Sequence, residues 1–182
     1  GRLTAISTAK AWKDFVAKNS EFFPHIDKNS KSSVKVERTM VTIEKDVLTV
    51  GTGYRQAFIS AEPEKVKEIL NSPERFQKLY GLDEPAVVPN SEFAAAKKSE
   101  VPEFKARIYK KIPVLPDQDY TLHYTNKVDE GLWFQRAKML DDKTKFAIRD
   151  NLKTLEPVDG GVIFREFSMV YVLRWYVRFF GP

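Results

Sequence analysis

The chain has 182 residues, 42% of them apolar and 30% charged, with 30 Lys and Arg against 25 Asp and Glu for a formal net charge of +5. That length and balance suit one globular domain that removes roughly 70% of its exposable surface from water, and they exclude a disordered tail. Cysteine is absent, which excludes disulfides, thiolate catalysis and cysteine-ligated zinc; no uncharged apolar run is long enough to span a bilayer as a helix, and no basic run interleaved with aromatics marks a nucleic-acid face.

Residues 7–23 are predicted helical. Ser7 or Thr8 supplies a cap, and Ala9, Trp12, Val16 and Asn19 share one side with Phe15 beside them. Phe22, Phe23 and Pro24 end the helix, and Lys28 to Ser33 is a polar connector. Val34 to Ile43 alternates as a strand, Glu44-Lys45-Asp46 forms a turn, and Val47 to Ser60 continues as a second strand. Gly51 and Gly53 are expected to bend it and so curve the sheet.

A pair of short helices follows over 63–80. Pro63 suits a first helical position, and Val66, Ile69 and Leu70 form an apolar stripe. Ser72-Pro73 restarts a helix carrying Phe76, Leu79 and Tyr80, which Gly81 stops. Leu82 to Val101 is irregular, with a strand expected near Ala86–Phe93.

The remainder reads as an antiparallel meander over 104–172, with strands at Phe104–Ile112, Tyr120–Val128, Leu132–Leu140, Lys145–Glu156 and Val162–Val172. Hairpin-sized turns, including Asp129-Glu130-Gly131, Asp141 to Thr144 and Asp159-Gly160-Gly161, separate the later ones. Two strands, a helical pair and a meander argue for an α+β domain built on a strongly curved antiparallel sheet.

Alternation assigns faces. Phe104, Ala106 and Ile108 share a phase, as do Tyr120, Leu122 and Tyr124; Trp133, Ala137 and Met139; and Phe146, Ile148 and Leu152. Asp150 falls in the last series. A buried carboxylate needs a partner, so Asp150 either pairs with Arg136 or Arg165 or is turned outward by a bulge. The aromatic content, 13 Phe, 7 Tyr and 3 Trp, fills a core in the ordinary reading and lines an apolar pocket in the functional one.

Catalytic signatures were sought among the polar residues. His25 and His123 are the only histidines, without an HExxH pattern or clustered acids, so no metal is expected. There is no GxSxG elbow, and neither Gly51-Thr52-Gly53 nor Gly160-Gly161 has the spacing that cradles nucleotide phosphates. No cofactor is expected, and nothing marks an enzyme.

Three segments, Ala61–Val66, Ile112–Tyr120 and Leu155–Phe167, taken with the order of elements, resemble the START-related lipid-binding superfamily, whose helix-grip fold is shared with polyketide cyclases. Ala61-Glu62-Pro63-Glu64-Lys65-Val66 resembles the opening of its helical pair. Ile112-Pro113-Val114-Leu115-Pro116-Asp117-Gln118-Asp119-Tyr120 resembles its proline and Arg-Asp-Tyr strand start, with Gln118 in place of the arginine. Leu155 to Phe167 resembles its late Pro…Gly-Gly hairpin. The resemblance implies a single START-like domain over 1–182, with helices packed on the concave face of the sheet. It also implies a long closing helix where this chain reaches Gly181-Pro182.

Met169 to Phe180 holds ten apolar residues with only Arg174 and Arg178 charged. A truncated closing helix is the first explanation, a helix supplied from elsewhere or a membrane-contacting segment the others. Transient contact with an anionic membrane surface is accordingly an expected partner interaction, though a solvated basic face is the plainer reading of the charge.

The resulting expectation is binding or transport of a hydrophobic ligand, a lipid above all, in an internal cavity. The expected ligand-binding residues are Phe76, Tyr80, Ile108, Tyr120, Leu122, Tyr124, Trp133, Met139, Phe146, Asp150, Arg165 and Phe167. The alternative is a cyclase- or aromatase-like enzyme on the same fold, using His123 or Asp150 as its acid or base. A partner-binding module that dimerises through Met169–Phe180 is a third class.

Overall fold

A computed structural model describes residues 6–43, 46–88, 103–113, 117–142 and 147–172. Seven antiparallel strands form one open sheet: β1 (Ser33–Ile43), β2 (Asp46–Ile59), β3 (Phe104–Lys110), β4 (Gln118–Asp129), β5 (Leu132–Asp142), β6 (Ala147–Val158) and β7 (Gly161–Val172). Their spatial order is β1-β2-β7-β6-β5-β4-β3. The meander from β3 to β7 is therefore continuous, and the first hairpin adds to its β7 edge. Of the predicted strand near 86–93, the described residues 86–88 carry a bridge between Val87 and Ala106; residues 89–93 lie outside the described residues, as does everything beyond Val172.

Among the described residues there are three short α-helices: α1 (Ala9–Lys18), α2 (Pro63–Leu70) and α3 (Phe76–Tyr80), the last preceded by a 3-10 turn at Pro73–Arg75. The Thr8 hydroxyl accepts from Ala11 N at 3.2 Å and caps α1. This helix is shorter than the predicted 7–23, because residues after Lys18 leave it as a turn in which Phe22 N and Phe23 N both donate to Asn19 O. Pro63 starts α2 where no amide donor is needed. Gly81, at φ 61°, ends α3 in the left-handed region that a side chain would strain.

The helices take opposite faces of the sheet. On β5, Leu132, Trp133, Phe134 and Gln135 are all buried, so the first half of this strand shows no alternation and is covered on both sides. Leu132 and Phe134 pack with Ala9 and Trp12 of α1 and with Tyr54, Leu152 and Phe167. Trp133, pointing the other way, packs with Val66 and Leu70 of α2 and with Leu155 and Val162. Phe76 of α3 joins Ala106, Leu122, Tyr124 and Ala137 on that second face. So α2 and α3 lie together on one face and α1 on the other, which overturns the expectation of all helices on a single, concave face.

Side-chain bonds fix both layers. Asp129 Oδ2 accepts from Ala9 N at 2.6 Å, and the Lys127 ammonium donates to Ser7 O, tying the start of α1 to β4. On the second face, Gln135 Nε2 donates to Leu70 O and to Asn71 Oδ1, each at 2.9 Å, and anchors the end of α2. Arg107 holds Asp119 through two bonds of 2.8 and 2.9 Å and Glu84 at 2.8 Å. The Asp119 bonds raise the guanidinium further above its ordinary value, and the pairing pins the chain after α3 along β3.

Candidate functional site: a groove beneath the helical pair

The face under α2 and α3 carries a row of polar residues across five strands. Arg55 on β2 pairs in register with Glu166 on β7, and Glu166 with Lys153 on β6. Lys153 lies opposite Gln135 on β5, and Gln135 opposite Asn126 on β4. Cross-strand partners share a face, so one end of this row, Arg55, Glu166 and Lys153, brings three charges together where the rest of the face is apolar.

Lys153 is the least expected of them. It is only 3% exposed, and its ammonium lies 5.8 Å from the Tyr80 ring centre and 5.5 Å from that of Tyr124. Both rings offer a cation their negative face. Among the described residues Lys153 forms no salt bridge and no side-chain hydrogen bond. Glu166 is held elsewhere: it accepts from Asn151 Nδ2 at 2.7 Å and faces Arg55 Nη1 at 3.5 Å. Burial, followed by the neighbouring Tyr80, Tyr120 and Glu166, pushes the Tyr124 phenol well above the ordinary tyrosine range. Tyr124 therefore stays a neutral hydroxyl.

Two lobes of space meet at this cluster, sharing Arg55, Tyr80, Lys153 and Glu166 as walls. One, of about 340 Å³, runs under α2 and is lined by Ile59, Ala61, Val66, Ile69, Leu70, Leu79 and Phe164 together with Lys65. The other, of about 260 Å³, runs toward β3 and β4 and is lined by Leu82, Ile108, Tyr120, Leu122, Tyr124, Lys110, Gln118 and Asn151. Both open to solvent, so the described residues form a two-lobed groove rather than the enclosed chamber expected from the sequence. Leu79 is 48% and Ile69 36% exposed at its rim.

The predicted ligand-binding residues divide between the faces. Tyr80, Ile108, Tyr120, Leu122 and Tyr124 line the groove. Phe76, Trp133 and Met139 lie on the same face but pack within its core. Phe146 lies outside the described residues. Asp150, Arg165 and Phe167 sit on the α1 face: Phe167 stands 4.8 Å from Phe15, Arg165 Nη1 donates to Glu156 at 2.6 Å, and Asp150 pairs with Arg136 Nη2 at 3.0 Å. Of the two partners foreseen for Asp150, Arg136 is the one it meets. His123 also points away from the groove, where its Nε2 pairs with Glu103.

Arg55, Asn151, Lys153 and Glu166 were missed by the sequence reading. The signal was present in the hairpin after β6: with Val158 opposite Gly161, Lys153 must fall opposite Glu166.

No protein-family model matches the chain, and no curated protein does. Among solved structures, an uncharacterized protein from Rhizobium leguminosarum is similar with a TM-score of 0.44 and 13% identity, over 81% of this chain and 84% of that one. A point mutant of norcoclaurine synthase from Thalictrum flavum, in complex with a transition-state analogue, is similar with a TM-score of 0.42 and 10% identity, over 82% of this chain and 83% of that one.

Proposed function

We propose that this protein binds an apolar small molecule, a lipid or comparable hydrocarbon, in the groove beneath α2 and α3, without transforming it. The observation that carries this reading is the lobe under α2. Ile59, Val66, Leu70, Leu79 and Phe164 border space that the core leaves unfilled, and its size falls within the range of roughly 300–1,000 Å³ usual for small-molecule sites. Apolar surface buried there contributes about 25 cal/mol per Å². The element order and the three resembling segments support a helix-grip reading of the fold, in which such a groove is the binding site.

Among the described residues, a cyclase-like enzyme would find its acid and base candidates in Lys153, Glu166, Tyr80 and Tyr124, since His123 and Asp150 face away. Native mass spectrometry of protein purified from cells tests the proposal. A bound apolar species, recovered chemically unchanged after incubation, is the expected result. Protein that carries no such species and takes up none from detergent-solubilised lipid would overturn it.

A further inference from the structure

We infer that the ligand is a single-chain amphiphile with a carboxylate head, its tail in the lobe under α2 and its head on Lys153. This rests on the binding reading above and goes further by naming the ligand class.

Charge is unbalanced in the groove. The two lobes are lined by four cations, Arg55, Lys65, Lys110 and Lys153, against one carboxylate, Glu166. Glu166 is engaged by Asn151 and Arg55, which leaves Lys153 as the buried charge without an anion among the described residues. An ammonium that meets two ring faces, reaches water only through the two lobes and is paired with no carboxylate among the described residues is less favourable than one paired with an anion. Lys153 borders both lobes, so a ligand occupying the junction lies beside it from either side. A carboxylate placed there accepts a charge-assisted hydrogen bond and brings Arg55, Glu166 and Lys153 to neutrality. A second negative charge would face Glu166 and be repelled.

Geometry then assigns the tail. Only the lobe under α2 has walls that are predominantly aliphatic. The other presents Gln118, Asn151, Lys110 and the tyrosines, which suits water around the head and not a second chain. One apolar lobe adjoining one unpaired ammonium describes a long-chain monocarboxylate.

The test compares dodecanoate with dodecanol, by calorimetry or by displacement of an apolar fluorophore, at pH 7.5 where the acid is ionised. The expected result is that dodecanoate binds about tenfold or more tighter than the alcohol, the ratio one charge-assisted hydrogen bond supplies. Lys153→Met keeps the side-chain bulk, and in it the preference should vanish while dodecanol binding persists. Equal affinity of the unaltered protein for the two ligands would overturn the carboxylate assignment and leave the binding reading intact. Failure of both to bind would overturn both. The comparison on the unaltered protein needs no variant to fold, so the inference remains falsifiable whatever Lys153→Met does to stability.

Discussion

Both faces of the sheet carry interlocked aromatic rings, Phe76, Tyr80, Phe104 and Tyr124 on one side and the cluster under α1 on the other, yet the face under α2 and α3 also leaves a groove of two lobes, about 340 and 260 Å³, around its charged residues. Under α1, Trp12, Phe15, Phe23, Tyr54 and Phe167 form a chain of contacts with ring centres 4.8–6.3 Å apart. The charged groups of that face are paired side by side, Arg136 with Asp150 and Arg165 with Glu156. On the other face, a lysine lies in the middle of the sheet with two tyrosine rings for company. A helix lowered onto Lys153 would strip its remaining hydration without offering an anion. The charge at the centre of this face is instead met by the Tyr80 and Tyr124 rings, and the groove opens beside it.

Substitutions that separate the faces test this contrast. The largest effect is expected at Trp12, 1% exposed and wedged between Phe15 and Phe23. Trp12→Ala should lower stability by about 3–5 kcal/mol, read from the shift of a urea unfolding midpoint. A loss under 1 kcal/mol would mean that the α1 layer is not a true core.

A smaller, pH-dependent effect belongs to Tyr124. Its phenol is held well above the ordinary tyrosine range by burial first, so the unfolded chain ionises near pH 10 while the folded one remains protonated. The contribution of Tyr124 to stability is thus complete below about pH 10 and is lost as pH climbs from there toward the folded-state value. Tyr124→Phe should make the alkaline decline shallower by at most about 1.4 kcal/mol per pH unit. Unfolding midpoints of both proteins between pH 8 and 11 measure this, and superimposable curves would place the hydroxyl in water.

The smallest effect on stability is expected at the groove rim. Leu79, half exposed on α3, should tolerate replacement by serine within about 0.5 kcal/mol, while affinity for an apolar probe falls several-fold. A variant that unfolds readily would show the rim to be packed rather than waiting for a ligand.

The elements were legible because their boundaries are written in local chemistry. Thr8, Pro63 and Gly81 mark helix ends, and Asp129 to Gly131 and Asp159 to Gly161 mark hairpins. Faces were harder. Alternation identifies a buried side only when the opposite side is wet, and β5 and β6 run through the middle of a sheet covered twice. On β6, Leu152, Lys153, Thr154 and Leu155 are all buried. The phase of Phe146, Asp150 and Leu152 looked like the pocket side, but Leu152 and Asp150 belong to the α1 layer. The placement of α1 itself could not be read, since an amphipathic helix states that it has an apolar face and not which side of a sheet will meet it.

A close backbone approach at Gly161 bears on the groove from outside it. A methyl group added at Gly161 would lie 2.2 Å from the Ile59 carbonyl oxygen, the same oxygen that accepts from Ala61 N at 2.9 Å. Ile59 and Ala61 both border the apolar lobe, and α2 begins two residues after Ala61. Backbone yields poorly, so a larger residue at 161 would lever the start of α2 outward and widen the mouth. On the binding reading, the width of the mouth is thereby set partly at a position that lines neither lobe.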